Sequence, residues 1–184
     1  MLGFCLSHLM SDDTTIAVFD AVRALAFIGD LSMGQPTDHS LRTAWLAGMI
    51  AAQAGCGPSQ VETARHVALL RWSGCTANAQ EFADFLEDDV QGRQALLASP
   101  RPRTQPPPRS VPIPDGMLAM ANIHCEIAGD IANTLGLGPD TEAALRVIFE
   151  TYDGGGVPGL LQGNDVPLAT YVVALASDIE IFSR

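Results

Sequence analysis

Apolar residues recur three and four positions apart along most of this chain, and no stretch alternates apolar with polar. That spacing places side chains on one face of a 3.6-residue helix, so the sequence predicts an all-helical protein. Ile16, Val18, Phe19, Val22, Leu25, Ala26 and Ile28 mark a first helix over residues 14–31. Gly34-Gln35-Pro36 ends it, and Thr37 or Asp38 is placed to cap the next. That second helix runs through Leu41, Ala44, Trp45, Ala47 and Ile50 to about Ala54. Ser59-Gln60-Val61-Glu62 has the form of a capping box, opening a third helix through Ala64, Val67, Ala68 and Leu70. Asn78 is placed to cap a shorter helix carrying Phe82, Phe85 and Leu86. Two further helices are expected over residues 117–135 and 139–151, with Pro139 in a first turn. A glycine-rich turn region spans residues 152–165. A last helix, over residues 166–182, has Leu168, Tyr171, Val172, Leu175, Ile179 and Phe182 on its apolar face. Six or seven helices around one core is the expected architecture.

The 184 residues suit one domain, with an N-terminal helix inside residues 1–33 and a loop at 99–115. Six prolines and three arginines crowd between Pro100 and Pro112, which excludes a helix there. An exposed insertion is expected, with docking to a proline-recognising partner as the functional alternative. No uninterrupted apolar stretch is long enough to span a bilayer. The apolar start, Met1 to Met10, lacks the basic residues of a signal peptide. The expected location is therefore cytoplasmic, without membrane attachment. Net charge is −11, and all ten basic residues are arginine. Such a surface repels a phosphate backbone, so direct nucleic-acid binding by this segment is not expected. Cys5, Cys56, Cys75 and Cys125 form no CxxC pair, which suits buried thiols in a reducing compartment.

Two segments carry a family likeness. Asp38-His39-Ser40-Leu41-Arg42-Thr43-Ala44 is followed, one helix later, by Ala68-Leu69-Leu70-Arg71-Trp72-Ser73-Gly74-Cys75. Phe149-Glu150-Thr151-Tyr152-Asp153-Gly154-Gly155-Gly156-Val157-Pro158 is followed by Gly163-Asn164-Asp165-Val166-Pro167-Leu168. Together they resemble the HD-GYP branch of the metal-dependent HD phosphohydrolases. There a His-Ser-x-Arg-x-Ala helix precedes Leu-Leu-His-Asp-Ile-Gly-Lys. A later His-His-Glu-x-Trp-Asp-Gly-x-Gly-Tyr-Pro turn leads into Ile-Pro-Leu. The likeness covers about residues 34–182 apart from the proline-rich insertion. Gly34-Gln35-Pro36, Leu70-Arg71 to Ala77, and His124-Cys125-Glu126 also resemble degenerate HD-GYP modules that precede helix-turn-helix domains in LuxR-type regulators of actinobacteria.

The resemblance implies an HD-domain-like helical bundle and a site where imidazoles and carboxylates hold divalent Mn, Fe or Mg. Such ions lower the pKa of a bridging water and clamp phosphoryl oxygens. The chain departs from that pattern at most ligand positions. Arg71 and Trp72 stand at the HD pair, and neither offers a lone pair to a metal. Cys75 replaces the lysine, and Ile148 and Phe149 replace the paired histidines. Ser177 stands at the last-helix aspartate, with Asp178 one residue and about 100° further round the helix. His39, His124, Glu150 and Asp153 survive. His39 and His124, with Asp178 if the register shifts, are the residues left for a residual metal.

His39, Arg71, His124, Glu150, Asp153 and Gly154 are the candidates for a ligand pocket. Each also has a structural reading: hydrogen-bonded buried histidines, an arginine pairing carboxylates, an aspartate and glycines shaping a turn. His8 and His66 match nothing and are read as surface or packing residues. The sequence contains no phosphate-cradling glycine loop with lysine, no HExxH and no nucleophile elbow. Nothing in it favours a cysteine–histidine nucleophile pair either. The expected function is a catalytically inactive HD-GYP-like regulatory, protein-interaction or sensor domain, with membership of a transcription regulator as one setting. It expects no cofactor. Its expected partner is another protein or its own C-terminal domain, with a homodimer as an option. The alternatives are a cyclic di-GMP-type phosphodiesterase with a reduced metal set, and a sensor of a small anion or nucleotide.

Overall fold

A computed structural model describes residues 15–78 and 115–184 of the chain. The apolar start, the helix expected around Phe82, and the proline-rich loop up to Pro114 lie outside the described residues. Six α-helices make up the rest: α1 (Val18–Ser32), α2 (His39–Gln53), α3 (Pro58–Leu70), α4 (Asp115–Thr134), α5 (Pro139–Arg146) and α6 (Leu168–Phe182). Short 3-10 turns at Ser73–Asn78 and Gly163–Asp165 complete the described elements, none of which is a strand. No described helix is long and apolar enough to cross a membrane.

The core is built largely from alanine. Ala44, Ala47 and Ala51 of α2 share one buried cluster with Ala64 and Ala68 of α3, Ala128 and Ala132 of α4, Ala144 of α5 and Ala176 of α6. Small side chains let helix axes approach closely. Val22, Val67, Leu70, Leu145 and Val173 fill what remains.

Which face points inward differs from the apolar pattern at both ends. α1 buries Val22, Ala26, Gly29 and Asp30, while Ile16, Phe19, Ile28 and Leu31 are exposed. α6 buries Thr170, Val172, Val173, Ala176, Ser177 and Glu180, leaving Leu168, Leu175, Ile179 and Phe182 outside. Each helix is apolar almost all round, so spacing alone does not choose a face. The small and polar side admits α2 at close range and gives Glu180 a buried partner.

Helix ends also depart from expectation. Asp38 is the N-cap of α2, but its carboxylate pairs with Arg42 rather than with the helix backbone. The cap comes from another helix: buried Asp30 accepts the Ser40 N–H (3.0 Å) and the Ser40 hydroxyl (2.6 Å). α3 begins with Pro58 at its first position, ahead of the expected box. The Gln60 side chain accepts the Gly57 N–H (3.0 Å), and Glu62 instead faces Arg65 and His66. α4 starts at Asp115, and α5 stops at Arg146 because Val147 leaves the helical conformation (φ −130°). Pro167 caps α6, with Val166 extended before it as proline requires.

Candidate functional site

The segment after α3 and the middle of α4 form the first cluster. Ser73 turns the chain by donating its hydroxyl to Leu70 O (2.7 Å). Gly74 then passes against α4 so closely that a Cβ there would overlap the His124 carbonyl. This approach buries Trp72 and Cys75 and brings His124 to both. His124 Nε2 lies 2.8 Å from Arg71 O, an atom that can only accept. Nε2 therefore carries the proton, and Nδ1 turns its lone pair toward Cys75 Sγ, 3.5 Å away.

Aromatic rings close the cluster. Phe149 lies 5.0 Å from the His124 ring and 6.3 Å from Trp72. Trp72 meets His124 edge-on at 6.3 Å. The Arg71 guanidinium sits over the Trp72 ring at 4.5 Å, a cation–π contact. Met33 joins from the end of α1, its Sδ 3.4 Å from Cys75 Sγ. The residues at the HD-pair, lysine and second-histidine positions thus pack against one another and against His124.

His39 belongs to a second cluster. It is 1% exposed, and its Nδ1 lies 2.5 Å from Glu180 Oε2, itself 1% exposed. A carboxylate only accepts, so Nδ1 donates. Arg184 reaches the same carboxylate oxygen at 2.6 Å and Gln35 at 3.1 Å. Burial lowers the His39 pKa, against the pull of Glu180, and leaves the ring neutral. Burial pushes Glu180 up, but hydrogen bonds from Arg184 and His39 overcome it and hold the carboxyl below its usual range. Burial raises Asp30, only partly offset by its bonds from Ser40.

The glycine-rich turn is a third unit. Glu150 is buried, and its Oε1 accepts the N–H groups of Gly159 (3.0 Å), Leu160 (2.8 Å) and Leu161 (3.4 Å). Asp153 Oδ1 accepts the Thr151 hydroxyl (2.7 Å) and the Gly155 N–H (3.1 Å). Gly154 adopts a left-handed φ of 75°. Glu150→Ala is expected to strip the acceptor from these amides at a cost of about 2 kcal/mol. Faster amide exchange confined to residues 159–161 would accompany it, and unchanged exchange there would refute this role.

Among the described residues, His39 lies with Glu180 and Arg184, whereas His124 lies with Arg71, Trp72, Cys75 and Phe149. Asp178 is exposed, one residue past buried Ser177. His66 is half-buried beside Glu62 (3.3 Å). Glu180 escaped notice in the sequence, though it lies three residues after Ser177 and so on the same helix face. The Met33–Cys75–His124 meeting was missed too, because no motif joins residues so far apart. Cys125, next to His124, is buried, and burial pushes its thiol up to about 11. That value makes it a poor nucleophile.

Among the described residues, no three His, Cys, Asp or Glu side chains are grouped to hold a metal ion. Arg71 and Trp72 do not fit the divalent ions that the HD pattern implies, because neither side chain offers a lone pair to a metal.

The helical bundle has the fold of a solved phosphodiesterase structure. No family model matches the chain, and neither does any curated protein. A solved structure of a cyclic GMP-AMP-specific phosphodiesterase of V. cholerae, V-cGAP3, superposes with a TM-score of 0.65 at 16% identity. The match covers 90% of this chain and 41% of that one. At that identity the likeness is one of fold.

Proposed function

We infer that this chain is a regulatory or protein-interaction module on an HD-type bundle, without phosphohydrolase chemistry of its own. One observation carries the inference: Arg71, Trp72 and Phe149 pack with His124 at the positions where the HD pattern calls for metal ligands. A hydrolytic site needs lone pairs converging on an open position. Here an arginine cation and two aromatic rings stand instead. The exposed apolar residues support interaction with another protein or with a further domain of its own chain. Phe27, Ile28 and Leu31 line α1, and Leu175, Ile179 and Phe182 line α6. A cytoplasmic setting suits the free thiols of Cys56 and Cys125.

The phosphodiesterase fold of the V. cholerae protein favours a second reading, a residual cyclic-dinucleotide phosphodiesterase. An assay separates the two. Purified chain incubated with Mn, Fe or Mg and either cyclic di-GMP or cyclic GMP-AMP is expected to give no product above a protein-free control. Turnover that scales with protein and disappears in a His124→Ala variant would establish the phosphodiesterase instead.

A further inference from the structure

The geometry points to a buried site for one soft monovalent cation, Cu(I), held by Cys75 Sγ, Met33 Sδ and His124 Nδ1. Cys75 Sγ lies 3.4 Å from Met33 Sδ and 3.5 Å from His124 Nδ1. An ion bound at about 2.0–2.3 Å to nitrogen and sulfur spaces its donors roughly 3.5–4 Å apart. The two spacings about Cys75 Sγ lie at the short end of that range.

The donor set is selective. A thiolate, a thioether and an imidazole are soft or borderline ligands, and the first two favour Cu(I). Mg, Mn and Fe(II) prefer oxygen-rich sets that this cluster lacks. Charge selects as well. All three side chains are buried, with Trp72 and Phe149 packed around them. One thiolate neutralises one monovalent ion, so the occupied site carries no net charge into the core. A divalent ion would carry one positive charge more than this single thiolate supplies.

The surroundings suit metal binding too. Metal-ligating histidines usually donate their other ring N–H to a carbonyl or carboxylate, which fixes the tautomer. His124 does so through Nε2 to Arg71 O at 2.8 Å. Binding is a simple exchange: the Cys75 S–H bond breaks, the S–Cu bond forms, and the proton leaves to solvent. Copper stays Cu(I), and nothing is oxidised or reduced. A nucleophilic role for the same pair fits less well, because Cys75 is buried rather than set in an open cleft.

The site is independent of whether the chain acts as a regulator. The test is an anaerobic titration of the full chain with Cu(I) buffered by a chromogenic chelator. Cys5→Ser, Cys56→Ser and Cys125→Ala are built into the background to remove the other three thiols. The expected result is one Cu(I) drawn from the chelator per chain. X-ray absorption should show two sulfurs and one nitrogen around it. Cys75→Ser should abolish this binding, and Met33→Leu should weaken it at least about tenfold. Met33→Leu nearly preserves side-chain volume, so it decides the matter if Cys75→Ser fails to fold. Failure to compete with the chelator overturns the proposal, as does affinity unchanged by Met33→Leu.

Discussion

Gly74→Ala should cost the domain at least about 3 kcal/mol, a large share of what a chain of this size holds. The added Cβ would overlap the His124 carbonyl and come within 2.9 Å of its Cα. Both are backbone atoms of a packed helix, so neither can swing aside as a flexible side chain would. The segment carrying Arg71, Trp72 and Cys75 must then move off α4, opening the aromatic cluster. A melting temperature lower by about 10 °C is expected by circular dichroism. Gly57→Ala supplies the control. Its Cβ would meet only Gln60 Oε1, at 3.9 Å, and its backbone is extended. A small shift there beside a large one at Gly74 ties the loss to the crossing. Equal shifts would refute the close approach.

Removing the Glu180 carboxylate is the other severe change. Glu180→Ala leaves the buried His39 N–H without its acceptor and takes from Arg184 its carboxylate partner. Breaking a buried pair in this way costs about 3 kcal/mol, measurable by urea denaturation. The same pair makes stability depend on pH. His39 has a folded pKa below the ordinary 6.5, so below that pH the unfolded chain takes up a proton that the folded chain resists. Stability is therefore full above that pH and falls as the solution is acidified. Glu180, also depressed, extends the loss at pH below its ordinary 4.5. Asp30 is shifted upward and works in the opposite sense: its cost is present at neutral pH and fades in acid. His39→Asn keeps a donor for Glu180 but cannot titrate. It should lose the slope between about pH 7 and 5 that the parent chain shows. An identical slope in both proteins would remove His39 from the explanation.

The helices were legible because spacing, glycine and proline mark them strongly. The orientation of α1 and α6 was not. Both carry apolar residues around most of their circumference, so the inward face depends on what α2 and α3 present to them. Asp30 and Glu180 illustrate the difficulty. Each is a carboxylate on an apolar helix, and by composition alone each reads as solvent-facing. Their burial depends on Ser40 and His39, partners set by the tertiary fold. At the first cluster, Arg71, Trp72, Cys75 and Phe149 were readable residue by residue as departures from the HD-GYP pattern. Their packing was not, since Phe149 and His124 meet Trp72 only after α4 and the α5 turn pack together. The glycine-rich turn stood between these cases. Asp153 and Gly154 announced a turn, whereas the inward grip of Glu150 on residues 159–161 required the structure.

The absence of an HD-type divalent centre is tested most directly by the metal content of tag-free protein from cells grown with added manganese and iron. Elemental mass spectrometry should find Mn, Fe and Ni far below one ion per chain in well-folded protein. About one or more of these ions per chain, lost in a His39→Ala or His124→Ala variant, would contradict the account and restore the phosphodiesterase.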